Sequence, residues 1–271
     1  MNELTRTRRA FAGHWSRLQR LDLFVKISAS MLGLTALISL LAIGRAEHRQ
    51  ASVAIGPIRG LPTVTQLASA DGLAACLRSS GVLLGIVIVA LTASVVAGDF
   101  ERGVIRLWLV RQPSRTAHLS GVTAALAVFS SAAVLLVAAV TVPMSWALAT
   151  WRGVDTAAWW SGAGWSTFAG AVAAAVAAAI AWVMVGAAIA VISRSVSLSI
   201  TCITTLVIVE SIAASAWAAA DRWLPATTIA NLAAGGSADQ PFRRAAVVTV
   251  TVAVAALTVG YASIHRRDVT Q

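Results

Sequence analysis

The chain has 271 residues, 58% hydrophobic and 12% charged, with a formal net charge of +10 and a positive mean hydropathy. A soluble domain carries about 25% charged residues, so long uncharged runs at half that share exclude a soluble globular protein and define an integral membrane protein. The arginines stand at the ends of apolar segments, where they orient a membrane protein, and no compact basic domain exists to hold a nucleic acid, which excludes that partner.

Residues 1–23 are polar and basic. Phe11, Trp15, Leu18 and Leu21 recur at spacings of four and three, so they share one helical face. Arg8, Arg9, Arg17 and Arg20 lie largely off that face. The pattern predicts an interfacial helix with its arginines near anionic headgroups, the alternative being a disordered basic tail. The basic region is too long for a secretory signal, and no small-residue cleavage site follows.

Six apolar segments follow, at about 24–43, 73–97, 119–148, 167–192, 196–219 and 245–264. Each is long enough to cross a hydrocarbon core of roughly 30 Å at about 1.5 Å per residue. A bilayer leaves backbone groups no external partner, so such segments are helices or barrel strands. The short alternating runs of strands are missing, and the fold class is therefore an all-α bundle of six transmembrane helices. Pro143 predicts a kink or an early exit from the third span.

With the N-terminus inside, twelve arginines fall on the inner segments and seven on the outer ones, although Arg243 and Arg244 lie on the outer side. That asymmetry places both termini in the cytoplasm. Among the outer loops, residues 44–72 are polar and contain Pro57 and Pro62. Residues 149–164 hold Trp151, Trp159 and Trp160, with Trp165 just beyond, suited to a membrane–water interface. The stretch DRWLPATTIANLAAG is too apolar for a solvated loop and reads as a short re-entrant or interfacial helix, before a turn at Gly235–Gly236, Asp239 and Pro241. Cys76 and Cys202 both fall in apolar segments and read as buried small residues.

The stretch Gly98 to Gly121, GDFERGVIRLWLVRQPSRTAHLSG, interrupts the apolar runs with charge. Arg102, Arg106, Arg111 and Arg115 and the acids Asp99 and Glu101 are threaded among Phe100, Val104, Ile105, Leu107, Trp108 and Leu109. The mixture predicts a short amphipathic helix at the membrane surface. Pro113 would end it, and Ser114 or Thr116 would cap the next helix.

Catalytic constellations are missing. His14, His48, His118 and His265 lie near or outside the span ends, which excludes an intramembrane haem. No H-E-x-x-H, no intramembrane Ser–His pair and no G-x-x-x-x-G-K-[ST] occurs. No cofactor or metal is expected. Glu210 stands in the middle of the fifth span, where a carboxylate costs about 2.5–3.5 kcal/mol to insert. It is either a polar contact in a substrate path or helix interface, or a protonated acid bonded to a serine or threonine of a neighbouring span. Arg78, near the start of the second span, is expected to snorkel to the outer interface. The fourth span is dense in glycine and alanine, which lets helices approach closely.

GDFERGVIRLWLVRQPSR resembles the connection after the second span in ABC-2-type transporter permeases. The shared pattern is an acid, a glycine two residues on, leucines, then proline–serine–arginine: Glu101, Gly103, Leu107 with Leu109, and Pro113–Ser114–Arg115. Val104 stands where members often have threonine, and Gly121–Val122 where they have a Gly-Lys pair. Six spans, the N-terminal helix, RWLPATTIANL and the closing HRRDV (His265 to Val269) extend the likeness over nearly the whole chain.

The resemblance implies an exporter permease of a bacterial cytoplasmic membrane, paired with a second permease chain and driven by separate cytoplasmic ATP-binding subunits. The chain would itself be no enzyme, and its partners would be that ATPase, the second permease and membrane lipid. The N-terminal helix would be the connecting helix. Asp99 to Trp108 would form the coupling helix, with Asp99, Phe100, Glu101, Arg102, Val104, Ile105, Arg106 and Trp108 meeting the ATPase. A non-transporting membrane scaffold or sensor subunit is the competing reading. A lipid-acting enzyme is weaker, because no acid–base pair falls at one membrane depth.

Overall fold

The computed structural model describes residues 3–19, 21–44, 62–111, 114–217, 223–236 and 240–266. Among them every regular element is helical: α1 (Glu3–Leu18), α2 (Leu21–Gly44), α3 (Val64–Leu67), α4 (Gly72–Ser79), α5 (Gly81–Glu101), α6 (Val104–Arg111), α7 (Arg115–Trp151), α8 (Gly162–Ser193), α9 (Val196–Ala216), α10 (Pro225–Ala233) and α11 (Phe242–Arg266). Pro57, Pro113, Asp239 and the closing residues after Arg266, all used in reading the sequence, lie outside the described residues.

Among the described residues, five helices are long and apolar enough to cross a membrane: Leu83–Glu101, Arg115–Trp151, Gly162–Ser193, Val196–Ala214 and Phe242–Ile264. They cover the second to sixth predicted spans. α2 covers the first, and its apolar stretch Ala29–Leu41 is shorter. The protein is an all-helical, multi-pass membrane protein.

Several boundaries depart from the sequence reading. The second predicted span is two helices, because the chain turns at Ser80 between α4 and α5. Ser80 Oγ donates to the Leu77 carbonyl at 2.7 Å, giving the turn a local partner. Residues 73–79 therefore belong to a short helix ahead of the span. The third span neither ends nor exits at Pro143: α7 runs through it to Trp151. Its 37 residues reach about 55 Å at ~1.5 Å each, well beyond the hydrocarbon core. The stretch after Pro225 is helical as expected, with the proline in the first turn of α10, where no N–H is needed.

Capping sets the starts. Ser114 Oγ accepts from Ala117 N at 3.2 Å and opens α7, so Ser114 and not Thr116 is the cap. Ser161 does the same for α8 through Gly164 N at 3.1 Å. α8 is the central helix, packed by α5, α7 and α11. Lipid tails are as apolar as its side chains, so close packing holds the bundle together. Gly186 lies against Thr92 of α5, and Gly260 of α11 approaches the Ala188 backbone. α9 and α11 are different: only 17% and 22% of their span windows are buried. Their outer faces are left to lipid or to a partner. Cys202 sits on the open side of α9 and is exposed, correcting the expectation of burial; Cys76 is buried.

Side-chain contacts also hold the connections around α3 and α4. Trp159 Nε1 donates to the Leu67 carbonyl at 2.6 Å, tying the α7–α8 connection to α3. Arg78 does not simply snorkel: its Nη1 bonds both Asp71 oxygens, at 2.8 and 3.0 Å.

Candidate partner-docking site

The charged stretch 98–121 is not one amphipathic helix. Asp99, Phe100 and Glu101 are the last turn of α5. The chain then breaks at Gly103, whose φ of +65° suits a residue without a Cβ. α6 follows as a separate helix over Val104–Arg111. The expected single coupling helix from Asp99 to Trp108 is thus corrected: its first three residues extend a membrane span, and only Val104 onward forms the connecting helix.

Both acids are engaged within the chain, Asp99 buried and Glu101 at the surface. Asp99 is 2% exposed, and its Oδ1 accepts from Arg17 Nη1 of α1 at 2.6 Å. Arg102 Nη2 stands at 3.8 Å from the same oxygen. Glu101 Oε1 accepts from Val196 N at 2.8 Å, in the first turn of α9, where a carboxylate satisfies an orphan amide. Next to it, the Arg194 guanidinium lies 5.6 Å from the Phe100 ring centre. The end of α5 therefore grips α1 on one side and the α8–α9 turn on the other.

α6 divides by face. Ile105 is 3% exposed, and Trp108, one turn on, is half-buried on α1. The Trp108 ring stacks on His14 with centroids 4.9 Å apart, and His118 of α7 meets His14 edge-on at 5.0 Å. Gly13 leaves room for Trp108: a Cβ there would come within 2.6 Å of the indole. His14 is fully buried, and burial, helped by the neighbouring His118 and Arg17, pushes its pKa down to about 3. Val104 is half-buried. The opposite face carries Arg106, Leu107 and Val110, with Leu107 at 68% and Val110 at 84% exposure. Arg102, ahead of the break, is also exposed.

α1 is docked on protein through a face one step away from the one the periodicity picked out. Ala10, His14 and Leu18 are its buried line, with Phe11 and Trp15 half-buried beside them. Gly121 of α7 sits under it, its Cβ position 2.5 Å from Ala10 Cβ. Glu3 accepts from Ser114 Oγ at 3.1 Å, near the start of α7. Arg17, assigned to headgroups by its position off the aromatic face, is the ion partner of Asp99.

Glu210 is far from this cluster. It is 3% exposed, and its Oε2 accepts from Ala226 N at 2.6 Å and Thr227 N at 3.2 Å. In the fold it makes a polar contact at a helix–helix interface, between α9 and α10. Its partners are orphan backbone amides in the first turn of α10, not a hydroxyl of a neighbouring span.

Sequence reasoning missed Gly13, His14, Arg17, His118, Leu107 and Val110. The histidines are 104 positions apart, and their own local sequence gives no sign that they meet.

Fold and site together define a helical membrane protein with a short helix, α6, displayed between two long spans and braced by an N-terminal helix. Residues 29–270 match the family described as protein of unknown function DUF2705, and the chain belongs to that family. No curated protein matches the chain.

Proposed function

We propose that the chain is the permease subunit of an ATP-binding-cassette exporter of the ABC-2 type, with six spans and both termini on the cytoplasmic side of a bacterial cytoplasmic membrane. On this reading α2 is the first span, a second permease chain completes the path, and a separate subunit hydrolyses ATP. The observation that carries it is the two-faced α6. One face is locked to α1 through Trp108, and the other presents Arg106, Leu107 and Val110 outward. An exposed apolar–basic face on a braced helix suits a surface that a partner pushes on. Bracing matters because a push is transmitted only by an element that does not yield separately from its neighbours.

The test is co-purification with the ATPase encoded beside this chain, followed by ATP hydrolysis in lipid. A stable complex whose hydrolysis collapses when Leu107 and Val110 are both made aspartate supports the permease. A protein that binds no ATPase, with α6 intact, belongs to the scaffold or sensor class instead.

A further inference from the structure

Between α8, α10 and α11 lies a groove of about 250 Å³. It falls within the membrane-crossing stretches Gly162–Ser193 and Phe242–Ile264. Its buried floor includes Ala174 and Ala181 of α8 and Thr249 and Ala253 of α11. Val250 and Val254 stand exposed at its edge, and Phe242 and Leu232 close one end.

One atom in this apolar slot is out of place. Thr249 is 2% exposed, yet its Oγ1 has no hydrogen-bond partner. The other two threonines of α11 behave ordinarily: Thr251 donates to the Val247 carbonyl at 2.9 Å and Thr258 to the Ala255 carbonyl at 2.7 Å. A buried hydroxyl that forgoes this bond costs free energy unless something else accepts from it. Arg243 is exposed at the same end of α11 as Phe242. It is three and seven residues before Ala246 and Val250, so it shares their helical face and crowns the groove. Six residues separate it from Thr249, about 9 Å along the axis.

We propose that this groove holds one acyl chain of a bilayer phospholipid, with Thr249 donating to the ester carbonyl and Arg243 facing the phosphate. The order of chemistry along α11 is cation, then hydroxyl, then alanine floor. A phospholipid presents phosphate, ester and methylenes in the same order. The bilayer supplies that molecule at this depth. A helix of a second copy fits worse: helices are about 10 Å across and pack closely only where the rim is small, and here the rim is Val250, Val254 and Phe242. The site stands apart from α6, so it does not rest on the exporter reading.

The protein is reconstituted into phosphatidylethanolamine–phosphatidylglycerol vesicles containing a trace of phospholipid with a photoreactive diazirine on one acyl chain. Cross-linked peptides are then mapped. Labelling should concentrate on residues 173–184 and 246–254, well above the exposed apolar face of α9 around Ile208 and Ile212. Thr249→Val should lower that labelling about fivefold, the worth of one hydrogen bond. It should not lower the melting temperature in lipid-free detergent, since the hydroxyl it removes has no partner. Ala177→Phe, at an exposed position lining the slot, should displace the chain by filling it. Equal labelling of α9 and the groove, labelling indifferent to Thr249→Val, or cross-links joining two copies through α8 and α11 would overturn the proposal.

Discussion

Arg17 of the N-terminal helix reaches Asp99 at the end of α5 with 2.6 Å between Nη1 and Oδ1, and Asp99 is 2% exposed. An ion pair buried on its acid side joins an element the sequence assigns to the membrane surface with one it assigns to a partner. Removing Arg17 leaves a buried carboxylate with only the more distant Arg102 beside it, whereas removing both charges leaves no buried anion. Arg17→Ala should destabilise the protein by about 2 kcal/mol, below the value for a fully buried pair because Arg17 is partly exposed. Adding Asp99→Asn should restore much of the loss. Thermal unfolding of the double-mutant cycle in detergent measures the coupling; additive losses would show that the pair contributes nothing of its own.

His14 gives α1 a pH dependence of defined sign. Its ordinary pKa is 6.5, and in the fold it is held near 3 by burial, with the His118 and Arg17 charges adding to the effect. Below pH 6.5 the unfolded or undocked helix binds a proton that the docked helix refuses. Docking is therefore strongest above pH 6.5 and weakens as the pH falls towards 3. Limited proteolysis of α1 should accelerate through that window. His14→Phe keeps an aromatic ring on Trp108 and should flatten the profile; an unchanged profile would place the titrating group elsewhere.

Gly121 and Gly170 make a matched pair. A Cβ at Gly121 would stand 2.5 Å from Ala10 Cβ and 2.8 Å from Phe11 N, whereas one at Gly170 meets nothing within 4 Å. Gly121→Ala should push α1 away at a cost of about 1–3 kcal/mol. Gly170→Ala should be neutral or stabilising by up to about 1 kcal/mol, through helix propensity alone. Protease access to α1, compared between the two variants, reads the difference.

Five of the six predicted spans were legible because each is a long run with at most one charge, and the loop that reads as a short helix after Pro225 is one. What the sequence hid were interruptions that do not change polarity. Ser79 and Ser80 satisfy their own hydroxyls on nearby carbonyls, so the α4–α5 turn costs the apolar pattern nothing. Pro143 does not bring the early exit, because a proline inside a membrane helix is tolerated where neighbours support the backbone. In the candidate site, six of the eight residues of α6 are apolar, so no periodicity could say which face is buried. The buried face became visible only once Gly13 and His14 were seen to cover Trp108. The acids Asp99 and Glu101 read as contacts for a partner because charge is normally outward; in the fold each also accepts from another helix of the same chain.

Glu210 separates an acceptor role from a charge role. Gln keeps a carbonyl oxygen for the amides of Ala226 and Thr227, whereas Ala leaves both without it. Glu210→Ala should cost about 1–3 kcal/mol and loosen α10, with Glu210→Gln losing clearly less. Hydrogen exchange at residues 225–233 reports it directly. Equal loss in both variants would mean that the negative charge itself, and not the acceptor, is what α10 requires.

Glu101 and Arg106 test whether internal bracing and partner docking are separate functions of neighbouring residues. Glu101 accepts from Val196 N, so Glu101→Ala removes a cap from α9 and should speed hydrogen exchange at the start of that helix. Arg106 is on the exposed side of α6, so Arg106→Glu should change the stability by no more than about 0.5 kcal/mol. Reversing its charge should still slow association with a partner whose groove is acidic, and the difference should shrink as salt is raised. Measured against the proposed ATPase partner, a slower on-rate for Arg106→Glu with unchanged stability assigns the outer face of α6 to docking. The reverse pattern, stability lost at Arg106 and binding lost at Glu101 alone, would move the contact back to the end of α5 and make α6 a strut.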